Sequence, residues 1–152
     1  MWVDADSCPV RVRQIVAKAA GKRKVLSVFV ANRKIPLESG GNYMKTALVE
    51  KIEGSADAYI CERAGSGDLV ITRDIPLAAE LVRKGVTAIN DRGETFDAGT
   101  ISEKLSMRDF MKDLREAGLY ESPSGTFGAR EVQRFSNAFD RELTRLKARS
   151  VS

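Results

Sequence analysis

The chain has no histidine among its 152 residues. That absence excludes Ser-His-Asp and Cys-His catalysis, imidazole-ligated zinc and an imidazole general base together. Cysteine is nearly absent too: Cys8 and Cys61 are the only two. They lie far apart, fit no metal-ligand spacing and no disulfide framework, and are expected as reduced thiols with no disulfide partner. Cys8 stands near a predicted helix N-terminus, which either activates its thiol or uses it as a small residue in a tight turn; the second reading is favoured, because most structural cysteines are inert. No apolar run approaches the ~20 residues that a membrane span needs. The N-terminus lacks the basic leader and long apolar stretch of a signal peptide, so the cytoplasm is the expected compartment. Any chemistry must come from carboxylates, cations, hydroxyls or a bound metal.

What is present has ordinary bulk properties. A chain 43% hydrophobic and 30% charged reads as one globular domain over residues 1–152, long enough to bury a core without staples. A formal charge of +4 permits an anionic partner without requiring one.

The informative stretch is the first. Trp2-Val3 reads as a strand entering a core, and it stops at two carboxylates, Asp4 and Asp6. Side chains two apart on an extended segment point the same way, and ligands of open α/β sheets bind beyond the carboxyl ends of strands. Two acids there need a cation, a proton or hydrogen bonds to offset their charge. A divalent metal held by oxygen ligands does this economically. The plainer reading makes one Asp a helix cap and leaves the other solvated.

Pro9 suits the first turn of a helix. Val12, Ile15, Val16 and Ala19 give that helix an apolar stripe, and Gly21 is expected to end it. Residues 25–30 read as a second strand, buried on both faces, which makes a parallel β-α-β unit with a right-handed crossover. Residues 31–42, with Pro36, Gly40 and Gly41, read as a loop, and residues 44–51 fit either a strand or a helix, with Thr46, Leu48 and Val49 favouring the strand. Ser55 is expected to cap a helix reaching about Ala64. Leu69-Val-Ile-Thr72 then repeats the opening pattern: an apolar strand ending in Arg73-Asp74, with Ile75-Pro76-Leu77 opening another helix to about Lys84. Residues 86–89 form a last strand before the turn Asn90-Asp91-Arg92-Gly93. Strands and helices alternating over about residues 1–93 predict a three-layer α/β/α fold with a mostly parallel sheet.

About residues 100–148 are predicted to form C-terminal helices packed on that core. Ser106-Met-Arg-Asp109 resembles a capping box, and Met107, Phe110, Met111 and Leu114 follow at helical spacing, so this helix is expected to bury them. Residues 122–126 read as a linker. A final helix carries Val132, Phe135, Phe139, Leu143 and Leu146 on one stripe and Arg130, Arg134, Arg141, Arg145 and Arg149 on the other. That arginine face either tracks a phosphate backbone or is a solvated surface. The interspersed Glu131, Asp140 and Glu142 fit the solvated surface better.

Acids recur where parallel strands end: Asp4 and Asp6 after the first, Asp74 after the strand ending at Thr72, with Asp57 early in the helix before that strand. Adjacent strands would bring Asp4, Asp6 and Asp74 to one rim, with Asp57 close by. Mg²⁺ or Mn²⁺ suits such an all-oxygen site, and both favour phosphate substrates. Ser7 and Thr72 would orient water or complete the shell. Arg73 either contacts a scissile phosphate or pairs with a neighbouring acid, Asn90 either joins the rim or serves its own turn, and Arg108 is a further candidate for the substrate.

Three stretches taken together, Trp2-Val-Asp-Ala-Asp-Ser-Cys-Pro9, Gly67-Asp-Leu-Val-Ile-Thr-Arg-Asp-Ile-Pro-Leu-Ala78 and Leu105-Ser-Met-Arg-Asp-Phe-Met111, resemble the YaiI/YqxD family of small bacterial proteins. That family is in turn similar to PIN-like domains, metal-dependent nucleases with a carboxylate cluster at strand ends. The resemblance implies a PIN-like domain in which Asp4, Asp57 and Asp74 occupy the matching positions and Asp6 is an addition. A glutamate found on a middle helix of PIN domains has no clear counterpart here; Glu50 and Glu62 are the candidates. The expected function is divalent-metal-dependent hydrolysis of phosphodiester bonds in nucleic acid, RNA rather than DNA. Two alternatives stay open: a haloacid-dehalogenase-type phosphatase with Asp4 as nucleophile, and a non-catalytic nucleic-acid- or protein-binding module.

Overall fold

A computed structural model describes residues 1–36, 41–121 and 125–151. The strands are β1 (Trp2–Asp4), β2 (Ser27–Ala31), β3 (Met44–Leu48), β4 (Leu69–Ile71) and β5 (Thr87–Ile89). The helices are α1 (Val10–Arg23), α2 (Ser55–Arg63), α3 (Ile75–Arg83), α4 (Ile101–Glu116) and α5 (Ala129–Val151). All five strands are parallel, in the order β3-β2-β1-β4-β5. Among the described residues no helix is long and apolar enough to cross a membrane.

Because side chains alternate along a strand, each short strand feeds two cores. Val3, Phe29, Ile71 and Ile89 pack with Val12 and Val16 of α1 and with Phe135, Phe139 and Leu143 of α5. Val30, Val70 and Ala88 pack on the opposite face with Ile60 of α2, Leu77 and Leu81 of α3, and Ile101 of α4. This is the expected three-layer α/β/α arrangement. Strands buried on both faces explain why the sequence shows short β-branched runs rather than alternation. Arg23 ties α1 to α5 through Asp140 at 3.1 Å and Thr144 at 2.9 Å.

Several local expectations are corrected. Helix α1 runs through Gly21 to Arg23, and Lys24 takes the left-handed position that ends it (φ 55°). Ser55 is the first residue of α2 rather than its cap; Gly54 precedes it at φ 86°, without a side-chain cap. The Ser106–Asp109 capping box falls inside α4. That helix starts five residues earlier because the Asp97 carboxylate accepts the Gly99 and Thr100 N–H groups at 2.8 and 3.0 Å and turns the chain there. The stripe from Met107 to Leu114 is helical but not fully covered: Met107 and Phe110 are 58% and 57% exposed. The loop and linker expected at 31–42 and 122–126 fall partly on residues 37–40 and 122–124, outside those described.

Candidate active site

β1 lies between β2 and β4, where the chain order reverses: the first three strands build outwards on one side and the last two on the other. This topological switch point is where open α/β sheets form a crevice. The parallel register Val3↔Ile71 carries Asp4 next to Thr72 at the carboxyl ends of β1 and β4. Asp4 lies two residues beyond Trp2, so its side chain faces the α2 and α3 layer.

There Asp4 is buried, and its Oδ2 accepts the Thr72 hydroxyl at 2.8 Å. The same hydroxyl oxygen accepts the Asp74 N–H at 3.0 Å. Asp74 is the N-cap of α3: its Oδ1 accepts the Leu77 N–H at 3.0 Å, and Pro76 opens the helix where no N–H is needed. Asp57 comes from the first turn of α2 and is half-buried. Its pKa is pushed up to about 7, first by burial, then by a hydrogen bond to Asp74, then by the charges of Asp74 and Asp4. Burial also raises the pKa of Asp4. The Thr72 and Ser7 hydroxyls oppose that rise, and the charges of Asp74 and Asp6 add to it. Carboxyl groups from β1, α2 and the N-cap of α3 thus stand within electrostatic reach of one another, and their repulsion favours the protonated form of Asp57.

They border an open cleft of about 540 Å³, which Asp6, Ser7, Lys51, Glu53 and Arg108 also line. Arg108 reaches it from α4 and pairs with the adjacent Asp109 at 3.0 Å. Glu50 lines the cleft as well, whereas Glu62 pairs with Arg63 and does not line it. Lys51 and Glu53 were missed by sequence reasoning. They sit in the short link between β3 and α2, and only that link's position just ahead of Asp57 could have flagged them.

The remaining candidates have other partners. Asp6 lines the same cleft, but both of its oxygens are engaged at the end of β2: Oδ2 accepts the Asn32 N–H at 2.7 Å and Oδ1 pairs with Arg33 at 3.3 Å. The Ala5–Ser7 3-10 turn breaks the extended geometry that would have kept Asp6 beside Asp4. Ser7 donates to the Asp4 carbonyl at 3.0 Å and accepts the Arg73 N–H at 3.4 Å, so its hydroxyl stitches two strand-end turns together. Arg73 pairs at 3.6 Å with Asp91, which is 3% exposed and so more than the turn residue that composition suggested. Asn90 accepts the Arg92 and Glu94 N–H groups, both at 2.9 Å, and serves its own turn. Arg73 and Asn90 line a neighbouring depression rather than the acid cleft. Arg141 and Arg145 of the final helix pair with the buried Glu142. The Cys8 thiol is pushed up to about 12 by burial and then by the charges of Asp4 and Asp91, which removes any activated thiol. Both cysteines are free.

The acids as arranged are not a finished cation cage: among the described residues no three metal-ligating side chains stand close enough together to hold one ion. The donor chemistry nevertheless fits a hard cation, being all carboxylate oxygen with raised proton affinity at Asp4 and Asp57.

Comparison with known proteins places this architecture in a family. A family model described as "Uncharacterized BCR, YaiI/YqxD family" matches residues 2–145. A UPF0178 protein of Treponema denticola is 49% identical over 152 residues, covering 99% of this chain and 96% of the relative. Those of Desulfotalea psychrophila and Myxococcus xanthus are 46% and 44% identical, covering 97% and 96% of this chain and 99% and 95% of the relatives. No solved structure matches. With a family model spanning nearly its whole length and relatives this similar from end to end, the chain belongs to the YaiI/YqxD family.

Proposed function

We propose that this chain is a divalent-cation-dependent phosphodiesterase acting on nucleic acid, RNA in preference to DNA, with Asp4, Asp57 and Asp74 as its working carboxylates on a PIN-like fold. One arrangement carries the reading: Asp57 of α2 lies within reach of Asp74 and of the buried Asp4 at the switch point of the sheet, where burial and those neighbours push its pKa up to about 7. Anionic groups crowded until one stays protonated near neutral pH form a site that binds a cation in exchange for that proton. Mg²⁺ or Mn²⁺ would be held by Asp4, Asp57 and Asp74, and would supply positive charge opposite a phosphate oxygen and acidify water at neutral pH. The chain's own contribution is positional. Thr72 fixes Asp4 and the turn before Asp74 through one hydroxyl. Asp57, whose pKa is pushed up to about 7 by burial and by Asp74, would give up its proton to take the cation. Arg108 offers a cation to the phosphate from the α4 wall of the cleft.

The test is cleavage of end-labelled single-stranded RNA and DNA by the purified chain with Mn²⁺, with Mg²⁺ and with EDTA. Asp4→Asn and Asp74→Asn should each reduce metal-dependent cleavage by more than about 100-fold, beyond the roughly 10–100-fold cost of disturbing an outer-shell partner, while circular dichroism stays unchanged. Mutants as active as the wild-type chain overturn the proposal. Phosphate release from small phosphomonoesters with a covalent phosphoryl group trapped on Asp4 would replace it with the phosphatase reading. RNA affinity unaffected by EDTA or Asp4→Asn, without cleavage, would replace it with the binding module.

A further inference from the structure

Helix α1 and the residue that closes it hold six basic side chains, Arg11, Arg13, Lys18, Lys22, Arg23 and Lys24, and no acidic one. The whole chain has 25 basic and 21 acidic residues, so everything outside this segment carries more acid than base. The net positive charge of the protein is the charge of one helix. Helix stability accounts for only part of it. Lys22 and Arg23 suit the negative end of the macrodipole, but Arg11 and Arg13 stand at the positive end with no acid in the first turn. Lys18 and Lys22, four residues apart, also repel each other.

Two of the six are taken up by the chain itself. Arg13 donates to the Ala5 carbonyl at 3.2 Å, and Arg23 pairs with Asp140 of α5 at 3.1 Å. Arg11, Lys18 and Lys22 are different. At 3.6 residues per turn they lie within about 40° of one another. They occupy the side turned away from the buried Val16, Ala17 and Ala20, and all three are exposed. Among the described residues none of the three has an acidic partner. The final helix contrasts with this, since its Arg141 and Arg145 pair with the buried Glu142. Three cations in line, spread over about 16 Å at 1.5 Å per residue, fit a ligand whose negative charges also repeat along a line. A nucleic-acid strand has that form, and neutralising its phosphates releases counterions. The stripe also starts at the rim that holds the acid cleft. Helix α1 follows β1 through the Ala5–Ser7 turn, and Ser7 lines the cleft. A strand leaving the cleft over that turn meets Arg11 first and Lys22 last.

We infer that the outer face of α1 binds the phosphate backbone of a single-stranded nucleic acid, holding the length of substrate that runs past the acid cleft. The choice of polyanion rests on the nuclease reading, so binding is measured apart from chemistry. Fluorescence anisotropy of a labelled single-stranded RNA of about 30 nucleotides, in EDTA, does this. Replacing Arg11, Lys18 and Lys22 together by Gln should weaken binding at about 0.1 M salt by tenfold or more, and make the log–log salt dependence shallower by about 2. Melting should be unchanged or slightly higher, because the three positions are exposed and a like-charge pair is removed. The triple variant Lys45→Gln, Arg83→Gln, Lys112→Gln loses the same charge from exposed positions elsewhere. It should bind within about threefold of the wild-type chain, because charges more than a Debye length from the strand are screened. Equal weakening in the two triple variants overturns the inference, as it would make net charge the cause. A wild-type chain that binds no RNA overturns it too. So does a chain that sediments with phosphatidylglycerol vesicles and leaves RNA free, which would assign the face to an anionic membrane. A chain that binds RNA through the stripe and cleaves nothing upholds the inference and overturns only the nuclease reading.

Discussion

Thr72 Oγ1 donates to Asp4 Oδ2 at 2.8 Å across the junction of β1 and β4, between residues 68 apart in the chain. Both groups are buried, and the same oxygen receives the Asp74 N–H. One hydroxyl thus sets the position of a strand-end acid and of the turn that delivers the next. Thr72→Val keeps the shape and removes the donor, leaving a buried carboxylate without its partner. Urea unfolding at pH 8 should show a loss of about 1–3 kcal/mol. The hydrogen bond holds the Asp4 pKa down, so the variant's Asp4 should protonate more readily and the loss should shrink as the pH falls.

Asp57 gives the fold a pH dependence whose sign differs from that of a salt-bridged acid. Its folded value of about 7 lies above the ordinary aspartate value of 3.8, so the native chain binds more protons than the unfolded one between those values. The stabilisation is fully present below about 4 and is lost as the pH rises through about 7. Melting in EDTA should therefore fall across that window, and Asp57→Asn should flatten the fall. Asp57 is only half-buried and solvent screens it, so a gain of about 1 kcal/mol at pH 8 is expected for the variant. A flat profile for the wild-type chain would show that Asp57 does not keep its proton.

If a cation replaces that proton, Mg²⁺ or Mn²⁺ should raise the melting temperature at pH 8. Ligand at tenfold its dissociation constant stabilises by about 1.4 kcal/mol. Asp4→Asn and Asp74→Asn should abolish the shift, and the shift should vanish at pH 5, where the proton competes. An equal shift in wild type and both variants would place the cation elsewhere.

Much of this was legible in the sequence because parallel strands write their own ends. Apolar runs that stop at Asp4 and at Thr72-Arg73-Asp74 locate two neighbouring strand ends, and the β-α-β alternation brings them to one rim. Asp6 was not legible, since a single 3-10 turn redirects it to Asn32 and Arg33. Nor was the start of α4: Asp97 turns the chain through its own carboxylate, and that local bond decides the boundary against the more familiar Ser106–Asp109 pattern. The stripe on α4 had the right period, but period alone does not say that every residue on it is covered, and Met107 and Phe110 stay more than half exposed.

Thiol chemistry offers an independent check on the core beneath the site. Cys8 is buried, and a value of about 12 leaves about one thiolate in 10⁴ at pH 8. Iodoacetamide on the native chain should therefore modify Cys61, which is half-buried, and spare Cys8. Both should react in urea. Labelling of Cys8 at a rate like that of Cys61 would mean that the turn after Asp4 opens readily.

The turn after β5 is fixed by contact as well as by conformation. Gly93 has φ 84°, in the left-handed region, and a methyl group there would meet the Arg134 carbonyl, with its carbon 2.7 Å away and the Phe135 nitrogen 3.2 Å away. These are backbone atoms of α5, next to the fully buried Phe135, so they cannot swing aside as a side-chain tip would. Gly93→Ala has to strain the turn and push the helix outwards as well. Left-handed strain of about 1–3 kcal/mol and the overpacking cost of about 1–3 kcal/mol predict a combined loss of about 2–6 kcal/mol in urea unfolding. Gly118 has φ 74° but open space around it, so Gly118→Ala carries the strain alone and should lose no more than about 1–3 kcal/mol. Equal losses at the two positions would mean that α5 yields freely at Arg134 and does not hold the β5 turn in place.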